Sequence, residues 1–396
     1  MTQHLRLKKN AERRLKAGHL WIFSNEIDNA ATPLKQVEPG QQVIIEESNG
    51  RAIAVAYANP HSLICARIVS RNTSMRLDRS LLVHRLNQAL SLRQQLFSTP
   101  FYRLVHSEGD LLPGLIIDRF DDVVVVQLNT LGMDLLRDEV IDALEKVLNP
   151  RVIVLRNDTS GRRIENLEQH IDVVKGEFDG VIDVEENGVK FRASALEGQK
   201  TGWFYDHRPN RAWLNQLVEG KRVLDVFSYI GGWGIQAAAK GAESVTCVDS
   251  SAVALDRVAE NASLNGVEDR VTMMEGDAFE ALSALRSEGE QFDIVIVDPP
   301  AFIRKRKDIA SGERAYARLN REAIRLIKKD GLLMSGSCSM HLDPTHLTDI
   351  VRGAARHQDR NAQIIYEGRQ GADHPVHPAI PETAYLKALG VRIFRD

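Results

Sequence analysis

Val223-Leu224-Asp225-Val226-Phe227-Ser228-Tyr229-Ile230-Gly231-Gly232-Trp233-Gly234 is the stretch on which the fold turns. A short β-rich run, Val223 to Phe227, leads into a glycine-rich turn, and an apolar helical segment follows. Strand, tight turn and helix form the unit from which parallel sheets are assembled, since a parallel neighbour is reached only by a crossover and the crossover is usually helical. The pattern recurs downstream: β-rich runs at 244–248, 271–275, 294–297 and 332–335 are separated by helical segments, notably 252–264 and 315–329. This predicts an α/β domain with a parallel sheet covered by helices on both faces. Ligands of such sheets bind beyond the carboxyl ends of the strands, near the topological switch.

Toward the N-terminus the pattern changes. A hairpin is expected at 181–185 and 189–193, joined across Asn187-Gly188, a dipeptide suited to a tight two-residue turn. Before it, Leu81, Leu82, Leu86, Ala89, Leu90, Leu92 and Leu96 recur at helical spacing over 78–96, a strand is expected at 123–128, a helix at 135–148 and a strand at 152–155. That mixture reads as α+β. The first 70 residues hold short β-rich segments divided by turn signals at Pro39-Gly40 and Asn49-Gly50, the signature of a small barrel. The expected domains are 1–70, 71–180 and 181–396.

At 396 residues and 43% hydrophobic content the chain has ample material for several cores. No run of about eighteen apolar residues occurs, and the basic N-terminus lacks the apolar block of a secretory signal, so a cytoplasmic protein without a membrane partner is expected. Cys65, Cys247 and Cys338 lie far apart and have no metal-ligand spacing, which argues against a disulfide framework or a structural zinc. The net charge of −3 conceals a cluster of Arg6, Lys8, Lys9, Arg13, Arg14 and Lys16 against one acid, Glu12.

Glycines at the 228–234 turn let a ligand approach the backbone. Asp249, eighteen residues after Gly231, suits ribose hydroxyls and keeps a dinucleotide reading open. Asp225 tells against it: a carboxylate before the loop is poorly matched to pyrophosphate but suits a cofactor that carries an α-ammonium group and a sulfonium. S-adenosylmethionine carries both. Two further strand ends bear acids: Asp277 in Glu275-Gly276-Asp277-Ala278, placed to read an adenine edge, and Asp298 in Asp298-Pro299-Pro300, where prolines stiffen the chain.

The order of these elements resembles class I S-adenosylmethionine-dependent methyltransferases and, more narrowly, the RlmI-type family that methylates carbon 5 of cytosine in 23S ribosomal RNA. The likeness spans nearly the whole chain: Gly18-His19-Leu20-Trp21-Ile22-Phe23, Glu108-Gly109-Asp110-Leu111-Leu112-Pro113-Gly114-Leu115, Lys200-Thr201-Gly202-Trp203-Phe204-Tyr205-Asp206-His207-Arg208, Asp298-Pro299-Pro300, Ser337-Cys338-Ser339 and Ala372-Asp373-His374-Pro375-Val376. Two departures are Ile230, where Thr is frequent, and His207, where Gln is usual. The resemblance implies a Rossmann-like methyltransferase domain, an N-terminal PUA-like β-barrel and a central α+β domain. It further implies a cofactor pocket formed by Asp225, Phe227, Ser228, Tyr229, Gly231, Asp249, Ser250, Asp277, Ala278 and Asp298, with Thr201, Tyr205 and Arg208 on its N-terminal side. Ribosomal RNA, most narrowly 23S, is the implied partner, and homodimer formation is left open.

Carbon 5 of cytosine is a poor nucleophile, so the chemistry wants covalent help. Cys338 is the expected nucleophile, adding to carbon 6, and Asp298 the group that holds the base by its amino and ring-nitrogen edge. Bound water, Asp298 and His374 remain open as the base. Cys65 and Cys247, inside apolar runs, are expected to be packing residues. The N-terminal basic cluster with Trp21 and Phe23, and the run Arg304-Lys305-Arg306-Lys307, are candidate RNA contacts. Alternative readings are a base-nitrogen RNA methyltransferase, a noncatalytic RNA-binding assembly factor and, more distantly, a nicotinamide dehydrogenase.

Overall fold

The computed structural model describes residues 3–395, which fall into two compact units. The first holds residues 3–182 with 194–205 and 372–383; the second holds 183–193, 206–371 and 384–395. Among the described residues, no helix is long and apolar enough to cross a membrane.

In the first unit, Gln3–Arg6, Gln42–Glu46, Ala52–Ala58, Ile64–Ser70 and Trp21–Phe23 lie side by side in that order. The first pair is parallel and the rest are antiparallel. Alternate residues turn inward, so Leu5, Val43, Ile45, Ala54, Ala56, Ala66 and Ile68 share one core. A second five-stranded sheet runs His170–Lys175, Val152–Asn157, Val123–Leu128, Leu115–Phe120, Phe101–His106. Helices Arg79–Leu96 and Arg137–Leu148 pack on it through Leu81, Leu82, Leu86, Val140 and Leu144. Asp78 starts the first of these as predicted, accepting the Leu81 backbone N–H at 3.1 Å.

The second unit opens within the expected hairpin, Val181–Glu186 and Val189–Ser194, where Asn187 and Gly188 both adopt positive φ, the requirement of a tight turn matched to strand twist. Seven strands follow: β1 (Arg222–Val226), β2 (Ser244–Asp249), β3 (Val271–Glu275), β4 (Phe292–Val297), β5 (Ile327–Ser337), β6 (Asn361–Gly368) and β7 (Lys387–Phe394). They form one sheet in the order β3-β2-β1-β4-β5-β7-β6. β1 to β5, the five strands expected from the sequence, are parallel as predicted; two strands the sequence reading did not include complete the sheet, with β7 running antiparallel between β5 and β6.

Helices α1 (Gly234–Ala239), α2 (Ala252–Leu264), α3 (Ala278–Ser287), α4 (Ile309–Arg325) and α5 (Pro344–Arg356) separate the strands. α3, α4 and α5 bury Leu282, Tyr316, Leu319 and Leu347 against Leu224, Val226, Val295, Val297 and Leu333. Each such aliphatic side chain contributes about 1.5–3 kcal/mol by leaving water. α1 covers the opposite face, and so closely that a Cβ on Gly234 would sit 2.6 Å from Cys247 Sγ. α4 begins and ends earlier than the predicted 315–329, because Ile327 and Lys328 already belong to β5. There the Lys328 ammonium pairs with Asp293 at 2.8 Å and the Arg360 guanidinium donates to the Ile327 carbonyl at 3.1 Å.

Candidate active site

The end of β1 presents Asp225, wholly buried. Its Oδ2 accepts the Gly234 N–H at 2.9 Å, while Oδ1 has no hydrogen-bond partner among the described residues. Burial pushes this carboxyl up to about 7; the Gly234 N–H opposes the rise, and the charges of Asp298 and Asp249 add to it. After Asp225 the chain turns through Phe227 (φ 66°), Tyr229 (φ 51°) and Gly231 (φ 84°). For the two aromatic residues this left-handed backbone is strained, a feature that concentrates at ligand sites. Ser228 is buried, and its hydroxyl has no hydrogen-bond partner among the described residues.

Asp249, at the end of β2, clamps the same loop. Its Oδ2 accepts the Tyr229 N–H at 2.9 Å and its Oδ1 the Ser251 N–H at 3.0 Å, with exposed Ser250 between. Asp277, after β3, is the N-cap of α3, accepting the Phe279 and Glu280 N–H groups, and Ala278 is buried behind it.

Asp298 follows β4. Its Oδ2 accepts the Trp233 indole N–H at 3.1 Å, and its Oδ1 lies 3.2 Å from His207 Nε2, close in distance but off the ideal hydrogen-bond angle. Burial would raise this carboxyl, yet His207 and Trp233 hold it below the ordinary range. The His207 tautomer follows from its neighbours. Asn210 Nδ2 also donates to the Arg369 carbonyl, and Tyr366 Oη donates to Asn210 Oδ1, which fixes the amide orientation. The same Nδ2 therefore donates to His207 Nδ1 at 3.0 Å, and the ring proton sits on Nε2, toward Asp298. His207 and Trp233 were missed as site residues in the sequence; the departure from Gln at 207 was the available signal.

Val297 pairs with Ser335 in register, which brings Asp298 level with Gly336. A Cβ on Gly336 would lie 2.9 Å from Asp298 Oδ1, so glycine there leaves space for the carboxylate. Two residues on, Ser337-Cys338-Ser339 is held by Tyr316 of α4: Ser337 Oγ donates to the Tyr316 hydroxyl at 2.9 Å, leaving that hydroxyl to donate to Ser339 Oγ at 2.9 Å. Ser339 Oγ also accepts the Ile303 N–H at 3.1 Å, tying the segment to the loop that carries Asp298. Both serines are fully buried, whereas Cys338 is partly exposed. Cys65 and Cys247 are buried packing residues, as expected; burial pushes Cys65 up to about 12 and Cys247 well above its ordinary value.

The remaining candidates are bound up in local networks. Arg208 Nε lies 3.5 Å from buried Glu186, which also accepts from Arg211 at 2.7 Å. Thr201 and Tyr205 belong to the first unit: the Thr201 hydroxyl donates to Asp118 at 2.6 Å, and Tyr205 stacks on Phe120 and donates to the Arg119 carbonyl at 2.9 Å. His374 is also in the first unit, buried, with Nδ1 2.9 Å from Asp373 Oδ1.

Of the six basic residues near the N-terminus, Arg6, Arg14 and Lys16 pair with Glu46, Glu26 and Glu47, acids that local sequence does not place beside them. Arg14 also covers Phe23, and the Trp21 indole N–H donates to Glu108 at 2.8 Å, so this patch offers less free charge and ring surface than its composition suggests. Arg304, Lys305, Arg306 and Lys307 are all exposed, and none forms an ion pair with a described residue.

Residues 103–392 match the S-adenosylmethionine-dependent methyltransferase family, and residues 5–71 match a PUA-like domain. Proteins named Ribosomal RNA large subunit methyltransferase I align with the full chain: 34% identity with that of Shewanella denitrificans, covering 100% of both chains, and 36% with that of Tolumonas auensis, covering 99% of this chain and 100% of the other. The chain belongs to the ribosomal RNA large subunit methyltransferase I family. Among solved structures, a protein described as a SAM-dependent methyltransferase from Streptococcus mutans shares the fold with a TM-score of 0.83 at 20% identity, covering 99% of this chain and all of the other. A methyltransferase complexed with SAH gives 0.84 at the same identity and coverage. The family's cofactor, S-adenosylmethionine, is the cofactor of this member. The residues fit it: an unpartnered buried carboxylate oxygen on Asp225, strained loop residues and an acid at the end of β2 surround one strand terminus.

Proposed function

We propose that this methyltransferase forms 5-methylcytosine in 23S ribosomal RNA through a covalent adduct between Cys338 and carbon 6 of the base. The carrying observation is the partly exposed thiol at the end of β5, two residues beyond the Gly336 that leaves room for Asp298, in a chain whose other two thiols are buried. A nitrogen target would not need that thiol. S-adenosylmethionine supplies an electrophilic methyl group. Asp225, Phe227, Ser228, Tyr229 and Gly231 are the residues proposed to hold its amino-acid end, Asp249 and Ser250 its ribose, and Asp277 and Ala278 its base. Thr201, Tyr205 and Arg208 are proposed supports of that pocket.

In the proposed reaction the Cys338 thiolate adds to carbon 6, which makes carbon 5 nucleophilic. Loss of the carbon 5 proton after methylation re-forms the double bond and expels the thiolate. Asp298, held ionised, is acceptor-only, which suits the exocyclic amino group of cytosine. The PUA-like segment is a further proposed RNA contact, and the reaction would take place in the cytoplasm.

The test is 23S RNA from cells lacking the protein, incubated with enzyme and methyl donor and analysed by nucleoside mass spectrometry; 5-methylcytosine is expected. RNA containing 5-fluorocytosine should in addition trap the enzyme covalently. Methylation on a base nitrogen, or turnover without trapping, overturns the reading.

The basic run after Asp298 is the proposed phosphate contact beside an extruded base. Replacing Arg304, Lys305, Arg306 and Lys307 by Gln is expected to weaken RNA binding at least tenfold near physiological salt. It should also flatten the log–log salt dependence by about three units, since each phosphate contact to a single strand contributes about 0.7. Filter binding across a salt series checks this, and an unchanged slope would remove the run from the RNA surface.

A further inference from the structure

Lys387 begins β7 opposite Ser337 and is only 7% exposed, within a run, Leu386-Lys387-Ala388-Leu389, whose other members are apolar and buried. Its ammonium donates to the carbonyl of Ser339 at 2.6 Å, so the side chain reaches along β5 to the residue just after Cys338. A lysine is seldom buried without a reason, because taking its charge out of water is costly. Apolar packing alone would be served by methionine or leucine. The titratable groups whose charges act most on it, among the described residues, are Cys338, the neighbour of the Ser339 it holds, and Asp343 ahead of α5. Asp343 is exposed and caps α5 through the Thr345 N–H at 2.8 Å. Burial pushes the Lys387 ammonium down to about 8, and negative charge on Cys338 and Asp343 opposes that fall. At neutral pH the group remains mostly protonated, a positive charge in a low-dielectric position where its effect on a neighbour is enhanced.

We propose that the Lys387 ammonium is the counter-charge that holds Cys338 as a thiolate, a role that rests on Cys338 being the nucleophile. The S–H bond breaks with its electron pair left on sulfur and the proton passing to water; Lys387 stays protonated throughout. Lys387 is thus a positioning residue, acting on substrate only through Cys338. The device completes the Ser-Cys-Ser segment: Tyr316 fixes both serines, and Lys387 fixes the following carbonyl while setting the charge state of the thiol between them.

The test needs neither RNA nor methyl donor. The full-length protein is treated with iodoacetamide across a pH series, and alkylation of the Cys338 peptide is followed by mass spectrometry, so the outcome is independent of which base is methylated. Lys387→Met is expected to alkylate about tenfold more slowly at pH 7, with the profile displaced upward by about one pH unit, in line with cationic neighbours on reactive cysteines. Lys387→Gln, a neutral side chain that keeps a hydrogen-bond donor, carries the same expectation and serves if Lys387→Met folds poorly. Lys387→Arg should keep most of the wild-type reactivity. A folded Lys387→Gln protein with the wild-type profile, or Lys387→Arg falling as far as Lys387→Gln, overturns the proposal and leaves the case for Cys338 as nucleophile to its own test.

Discussion

Purified Cys338→Ala protein is expected to lose methyl transfer by about a thousandfold or more while binding S-adenosylhomocysteine as the wild type does. The asymmetry is the informative part. Cys338 lies at the end of β5, whereas Asp225, Asp249 and the strained loop between them lie at the ends of β1 and β2. Removing one sulfur from a partly exposed position leaves the Tyr316–Ser337–Ser339 hydroxyl chain intact, because that chain uses only the two flanking serines. Stability should therefore change little, and the loss should fall on the rate. Titration calorimetry with S-adenosylhomocysteine beside a single-turnover methylation assay separates the two quantities. Retained turnover in the variant would end the covalent mechanism.

Asp225→Asn should act in the opposite sense on stability and on ligand affinity. A carboxyl raised to about 7 by burial favours the folded protein most at low pH; that contribution declines as pH rises from its unfolded value of about 4 through 7 and is gone above. Replacing it by a neutral amide removes a cost of order 4 kcal/mol at most at pH 8, so the ligand-free variant is expected to melt several degrees higher there and no higher at pH 4. Affinity for S-adenosylhomocysteine should meanwhile fall about ten- to a hundredfold, the loss of one charge-assisted hydrogen bond to the α-ammonium group. Wild-type affinity should strengthen as pH rises toward 7, where Asp225 ionises, and the variant should lose that trend. Unchanged affinity in Asp225→Asn would remove the residue from the cofactor site.

Much of this was legible in the sequence because local chemistry dictated it. Asn187-Gly188 could close a hairpin in few other ways, and the β-prone runs before Phe227, Asp249 and Asp298 marked the strand ends where acids collect. Whatever depended on distant partners was hidden. The insertion of β7 between β5 and β6 leaves no local trace, and with it the neighbourhood of Lys387 was invisible, although one lysine amid buried apolar residues was a hint. The pairing of Arg6, Arg14 and Lys16 with glutamates elsewhere in the small barrel likewise removed about half the free charge of an apparent basic patch. Asp277 shows a different limit, since a helix cap and a ligand contact call for the same residue type at the same place.

The first unit closes only with residues 372–383, a segment the chain reaches after six of the seven strands of the other unit's large sheet. Arg93, fully buried, donates to the Asp373 carbonyl at 2.9 Å as well as to Asp110, and the Arg103 backbone N–H donates to the Asp373 carboxylate at 3.0 Å. During synthesis these groups must wait until nearly the entire polypeptide has emerged, so the N-terminal portion cannot finish folding in the order in which it is translated. Premature termination anywhere before residue 372 would leave not one sound module and one missing module but a half-built pair, a natural substrate for proteolytic quality control.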